Sequence, residues 1–201
     1  MRDLGVTIDS KLTMSQHVNK IVTKARIRAN LVFKCFHSRH RHTLLKAFTT
    51  YVRPLLEYAS PVWSPCTVTA ISKVESVQRS FTKRLPGLNN LDYANRLCVL
   101  EIESLELRRL RRDMIYVYKM LFGLVDLSFN DYFVLRVDSI TRGHKYKLFA
   151  NYSRLNIRKH FFTERIVSVW NNLECDIINF SNLRSFKQSL VRCDMSKYVN
   201  Y

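Results

Sequence analysis

VNKIVTKARIRANLVFKCF, residues 18–36, carries the pattern that decides the fold. Val18, Val22, Ala25, Ala29, Val32 and Phe36 recur at intervals of 4, 3, 4, 3 and 4, which draws one continuous apolar stripe down a helix. Lys20 and Lys24 fall on the opposite side. Ile27 and Leu31 add a second apolar patch toward the C-terminal end, so this helix is expected to touch two neighbours. Thr13 followed by Gln16 predicts a capping box at its start.

Outward from this helix the chain keeps the same character. Residues 43–58 read as a second helical region that Pro54 kinks or restarts, and residues 69–85 as a third, stopped by Pro86-Gly87. SLELRRLRRDMIYVYKML, residues 104–121, predicts a fourth, ended by Gly123. Leu107, Leu110, Met114, Val117, Tyr118 and Leu121 form its apolar face; Arg109, Arg112, Tyr116 and Lys119 lie opposite. Glu106 and Asp113 lie within one turn of Arg109, whereas Arg108 and Arg112 have less compensation nearby. Thr141–His144 reads as a turn, and residues 162–173 and 182–192 predict two further helices. Only residues 4–8, LGVTI, alternate like a strand, with Leu4, Val6 and Ile8 on one face and no pairing partner close by.

The charge is the outlier in the composition. Against 47% hydrophobic residues, 33 Lys+Arg and 16 Asp+Glu give a formal net charge of +17. Residues 1–100 hold 16 basic and 5 acidic groups, so the excess belongs to the folding body and not to a tail. Such a body repels itself unless a polyanion or an acidic partner offsets it. No apolar run approaches the ~20 residues of a membrane span. Five cysteines, an odd number without a CxxC pair or an apolar leader before them, predict reduced thiols in a nuclear or cytoplasmic chain.

Candidate chemistry is sparse. Cys35, His37, His40 and His42 offer a thiol and three imidazoles within eight residues. That cluster has no second half, and Arg39 and Arg41 between its histidines would repel a cation, so it reads as a basic interhelical loop more than a zinc site. Glu101, Glu103 and Glu106 suit a helix N-terminus. No phosphate-binding glycine loop or nucleophile elbow is present. Basic and aromatic residues interleave at Tyr116/Tyr118/Lys119, Lys145/Tyr146/Lys147 and Arg158/Lys159/Phe161/Phe162, a combination that can contact phosphates and stack on bases. Taken singly, most of these also fit core aromatics beside snorkelling bases.

Seven segments in order resemble the C-terminal third of non-LTR (LINE-type) retrotransposon reverse transcriptases, particularly the Jockey and chicken-repeat groups. They are DLGVTIDSKLTMSQHV (3–18), YVRPLLEYASPVWSP (51–65), VESVQRSFTKRLPGL (74–88), SLELRRLRRD (104–113), TRGHKYKL (141–148), RKHFFTERIVSVWNNL (158–173) and FKQSL (186–190). The residue patterns predict a mainly α chain with one orphan N-terminal β-strand, and the resemblance accounts for that strand, whose sheet partners would lie in a palm. Residues 1–12 would be a remnant of the palm's primer-grip strand, 13–88 a helical thumb-like region and 89–201 a helical C-terminal extension.

It further implies that Lys20, Lys24 and Arg28 approach a template–primer duplex, and that Arg108, Arg109, Arg112 and Lys119 bind RNA or DNA beyond it. Polymerase chemistry in that family needs an Asp-Asp pair on two Mg2+ ions. These 201 residues contain no Asp-Asp dipeptide, so no catalytic residue, metal or cofactor is expected in this chain, and the rest of a polymerase is an implied partner. Glu174 also departs from the proline usual after the Trp-Asn-Asn-Leu block. The competing expectation is a degenerate helical remnant limited to protein contacts or without a selected function.

Overall fold

The computed structural model describes residues 1–136 and 143–201. These are mainly helical and include two strands of two residues each, β1 (Arg2–Asp3) and β2 (Val6–Thr7). The chain divides into two compact units, Met1–Arg109 with Tyr201, and Leu110–Asn200. The division falls after Arg109, whereas the sequence reading places its last boundary at Leu88.

In the first unit, α1 (Ser15–Cys35) buries Val18, Val22, Ala25, Ala29 and Val32, five of the six residues of the expected stripe; Phe36 lies one residue past its end and is half-buried. It packs on α4 (Val68–Lys83) and on the irregular helical segment after α2 (Arg41–Ala47), so it does touch two neighbours. Ile27 and Leu31 take no part in this: they are 57% and 49% exposed. The region 43–58 breaks up because Pro54 supplies no N–H for a continuing helix. A π-turn over Phe48–Val52 runs into a 3-10 turn over Arg53–Leu56, and the short α3 (Ser60–Trp63) follows.

The sequence pattern does not announce α5 (Tyr93–Leu100), whose N-terminus is capped by the Asp92 carboxylate accepting from Asn95 N at 2.8 Å. α5 packs on α4, and Leu88, Leu100 and Leu105 join the same core as Phe48 and Phe81. This is why the first unit extends beyond Leu88.

Two local expectations are corrected. The strand over residues 4–8 is a hairpin: β1 pairs antiparallel with β2, Asp3 opposite Val6, through a turn whose central residues Leu4 and Gly5 both have positive φ. Leu4 is therefore an 84% exposed turn residue and not part of an apolar strand face, while Val6 is covered at 4%. Thr13 does not cap α1, which begins two residues later behind Met14 in left-handed conformation. Thr13 instead donates from N and Oγ1 to the Asp9 carboxylate, at 2.9 and 2.6 Å.

α6 (Leu105–Leu121) ends before Gly123, whose φ is +63°. The second unit contributes α7 (Asn156–Lys159), α8 (Phe162–Asn171) and α9 (Leu183–Arg192), with 3-10 turns at Phe129–Asp131 and Ser196–Tyr198; Asn182 caps α9 by accepting from Ser185 N at 2.8 Å. Its core is aromatic. Trp170 and Phe186 are wholly buried, and Tyr118 stacks on Phe186 at 4.4 Å. Val137–Arg142, which include two residues of the expected 141–144 turn, lie outside the described residues.

Candidate nucleic-acid interface

The first unit separates its charges. Of the five acids in residues 1–100, Glu57 and Glu75 are buried, Asp92 caps α5, Asp9 is engaged by Thr13, and Asp3 is exposed in β1. Glu75, on α4, accepts from Leu105 N at 3.1 Å and Glu106 N at 3.3 Å, so it caps α6 from a neighbouring helix; Tyr93 Oη donates to the same carboxylate. Burial pushes the Glu75 carboxyl above its ordinary range, against those hydrogen bonds and the nearby Arg109. Most of the bases stay outside, Arg96 and Arg109 being the buried exceptions.

On α1, Lys20, Lys24 and Arg28 are all exposed, spaced one helical turn apart along its outer side. Lys20 Nζ donates to Thr7 Oγ1 at 3.3 Å, and Arg28 Nη1 reaches the Tyr51 carbonyl at 3.4 Å. Where α1 meets α4, further cations rest on neutral groups: Arg26 on Ser76 Oγ (2.8 Å), Lys73 on Asn19 Oδ1 (2.5 Å) and Arg84 on Asn30 Oδ1 (2.7 Å). Among the described residues, none of these six is in an ion pair. Their fields therefore add instead of cancelling, which favours a polyanion at this surface.

The arginine cluster on α6 is placed differently from the sequence expectation. Arg108 is compensated across the fold: Nε donates to Glu57 Oε1 at 2.5 Å, Nη2 to Oε2 at 3.4 Å, and Glu103 lies 3.9 Å away. Glu57 stands 51 residues earlier, out of reach of any reading along the helix. Arg109, assigned to the outer face, is only 3% exposed. Arg111 donates to the Val191 carbonyl at 3.2 Å. Arg112 and Lys119 are half-buried. Arg109 is thus enclosed, and Arg108, though partly exposed, is engaged by Glu57.

In the second unit the interleaved basic and aromatic residues split. Phe162 and Lys147 are buried, and Tyr146 is half-buried, its ring 5.0 Å from that of Phe180. Phe161 remains 49% exposed with the Arg158 guanidinium 5.6 Å over its ring. Arg165 grips Asp113, Nη2 to Oδ2 at 2.8 Å and Nε at 3.2 Å, another basic group spent internally. At the end of α1, Cys35, His37, His40 and His42 are all exposed, and Arg39 caps the helix by donating to the Phe33 carbonyl at 3.2 Å. Among the described residues no three His, Cys, Asp or Glu side chains are grouped to hold a metal ion. No described helix is long and apolar enough to cross a membrane.

Comparison with known proteins adds one relative. The chain is 23% identical over 126 residues to an uncharacterized protein, B0403.1, of Caenorhabditis elegans. That match covers 61% of this chain and 64% of the relative, less than two thirds of its length. No family model and no solved structure matches.

Sequence reasoning missed Arg26, Arg39, Lys73, Lys83 and Arg84 as parts of the same basic surface. They come from α1, α4 and the loops after them. Only the turn signal Pro86-Gly87 marks the neighbourhood of Arg84 in the sequence.

Proposed function

We propose that this chain binds nucleic acid, as the thumb and C-terminal extension of a LINE-type reverse transcriptase would bind a template–primer duplex or RNA. It does so from within the cell, and without carrying out polymerisation in these residues. The observation that carries the reading is the basic surface of α1 and α4, where Lys20, Lys24, Arg26, Arg28, Lys73 and Arg84 are exposed and, among the described residues, in no ion pair, three of them resting on neutral side chains. Lys20, Lys24 and Arg28, with Arg26 and Lys73 beside them, are the groups that meet the backbone. Their contacts are electrostatic and indifferent to base sequence. Arg112 and Lys119 are secondary candidates on the other unit, and the arginines engaged inside the protein add to the long-range field.

Fluorescence anisotropy against a labelled RNA–DNA template–primer, repeated across salt, tests this. Neutralising about five phosphates gives a slope of log K on log[salt] near −4 to −5. Replacing Lys20, Lys24 and Arg28 with glutamine should make it shallower by about 2 to 3.

The second reading, a helical remnant that makes only protein contacts, draws on Ile27 and Leu31, two large apolar side chains exposed beside those lysines. A folded, monodisperse sample whose anisotropy does not respond to the template–primer would replace the first reading with this one.

A further inference from the structure

A concavity of about 660 Å3 opens where α1 and α4 end together in the first unit. Lys34, Arg39, Lys83 and Arg84 line it, with Phe33 and Asn89, and no carboxylate does. Two helix C-termini meet here, which by itself explains some of the positive charge. Each terminus carries about −0.5 of an elementary charge, so the two offset about one of the four cations. About three positive charges remain. Among the described residues none of the four cations is in an ion pair.

The two arginines are held in place. Arg84 lies 4.0 Å over the Phe33 ring and donates to Asn30, and Phe33 in turn packs on Phe81 at 4.7 Å. Arg39 is fixed to the Phe33 carbonyl. Lys34 and Lys83 are exposed, each in the last turn of its helix. A pair of anchored guanidinium groups beside two exposed ammonium groups is the equipment of an oxyanion site.

We propose that this pocket seats a phosphate of an unpaired nucleic-acid strand. The proposal rests on the nucleic-acid reading above and adds a site to it. The volume lies within the range of small-ligand pockets and suits a nucleotide unit, not the cylinder of a duplex. The phosphate is either a strand's 5′ terminus or one link of its backbone.

The test uses the full chain and a short, 3′-labelled single-stranded RNA, with and without a 5′ phosphate. Wild type is compared with K34Q/K83Q and with K187Q/K197Q, a control that removes the same charge from the second unit. Matching circular dichroism and melting curves establish that all three are folded. K34Q/K83Q should weaken binding about 25-fold at 0.1 M salt and make the salt slope shallower by about 1.4, with little change in the control. If the effect vanishes on the 5′-hydroxyl RNA, the pocket takes the terminus; if it persists, the backbone. Equal effects from the two double variants would overturn the pocket while leaving nucleic-acid binding intact. Absence of RNA and template–primer binding by wild type would instead remove the underlying reading, and this site with it.

Discussion

Replacing Arg108 with alanine separates a structural arginine from a nucleic-acid contact. Glu57 is 5% exposed, and Arg108 gives it two hydrogen bonds, the shorter at 2.5 Å. After the substitution, Arg53, whose Nε lies 3.8 Å from the carboxylate, still faces it. Removing one partner of a buried pair costs about 3–5 kcal/mol when the other charge stays sealed in. Here Arg108 keeps 27% of its side chain exposed and Arg53 can move closer, which brings the expected loss to about 2–3 kcal/mol.

The reverse change, Glu57→Gln, frees an arginine that can turn toward water or toward Glu103 at 3.9 Å, so it should cost less. Urea unfolding followed by circular dichroism reads this as a midpoint lower by roughly 1 M for R108A, from a typical slope of 1–3 kcal/mol/M. The template–primer salt slope, measured on still-folded protein, should change by less than 0.5 of the roughly 0.9 that one phosphate contact contributes. An R108A protein as stable as wild type but with a slope shallower by a full contact would refute the argument. It would return the α6 arginines to the interface.

Two more expectations concern the second unit and acid. Arg165→Ala leaves Asp113, 3% exposed at its side chain, without its 2.8 Å partner and should lower stability by about 3 kcal/mol, read by the same urea titration. His17 and His144 both have depressed pKa values: His17 through burial first and then Lys20 and Lys24, His144 through burial against the bond to the Trp170 carbonyl. Unfolded histidines take up a proton near pH 6.5 while these two resist, so their stabilisation is whole above that pH. It is lost as pH falls below 6.5 toward the depressed values, by up to about 1.4 kcal/mol per pH unit for each. His17 Nδ1 accepts from Thr7 N at 3.2 Å, so His17→Asn, which offers an oxygen there, should shrink the acid loss; an unchanged pH profile would contradict this.

The helices were legible because their signals are local. The stripe from Val18 to Val32, the stop at Pro86-Gly87 and the glycine after α6 each act within a turn or two of chain. α5 escaped because its eight residues bury only Arg96 and Leu100, too few to draw a stripe. The hairpin escaped because a turn with positive φ at Leu4 is not the conformation such a side chain announces.

By itself, then, the sequence determined a basic, mainly helical chain with most of its helices in place. What it did not decide is which bases are free to meet a partner, because charge neutralisation follows distance through space. Four arginines in five positions look like an interface until Glu57, 51 residues earlier, turns out to hold one of them and burial encloses another. Lys34 and Lys83 look like ordinary helix-terminal lysines until packing of α1 on α4 brings them to one pocket with Arg39 and Arg84.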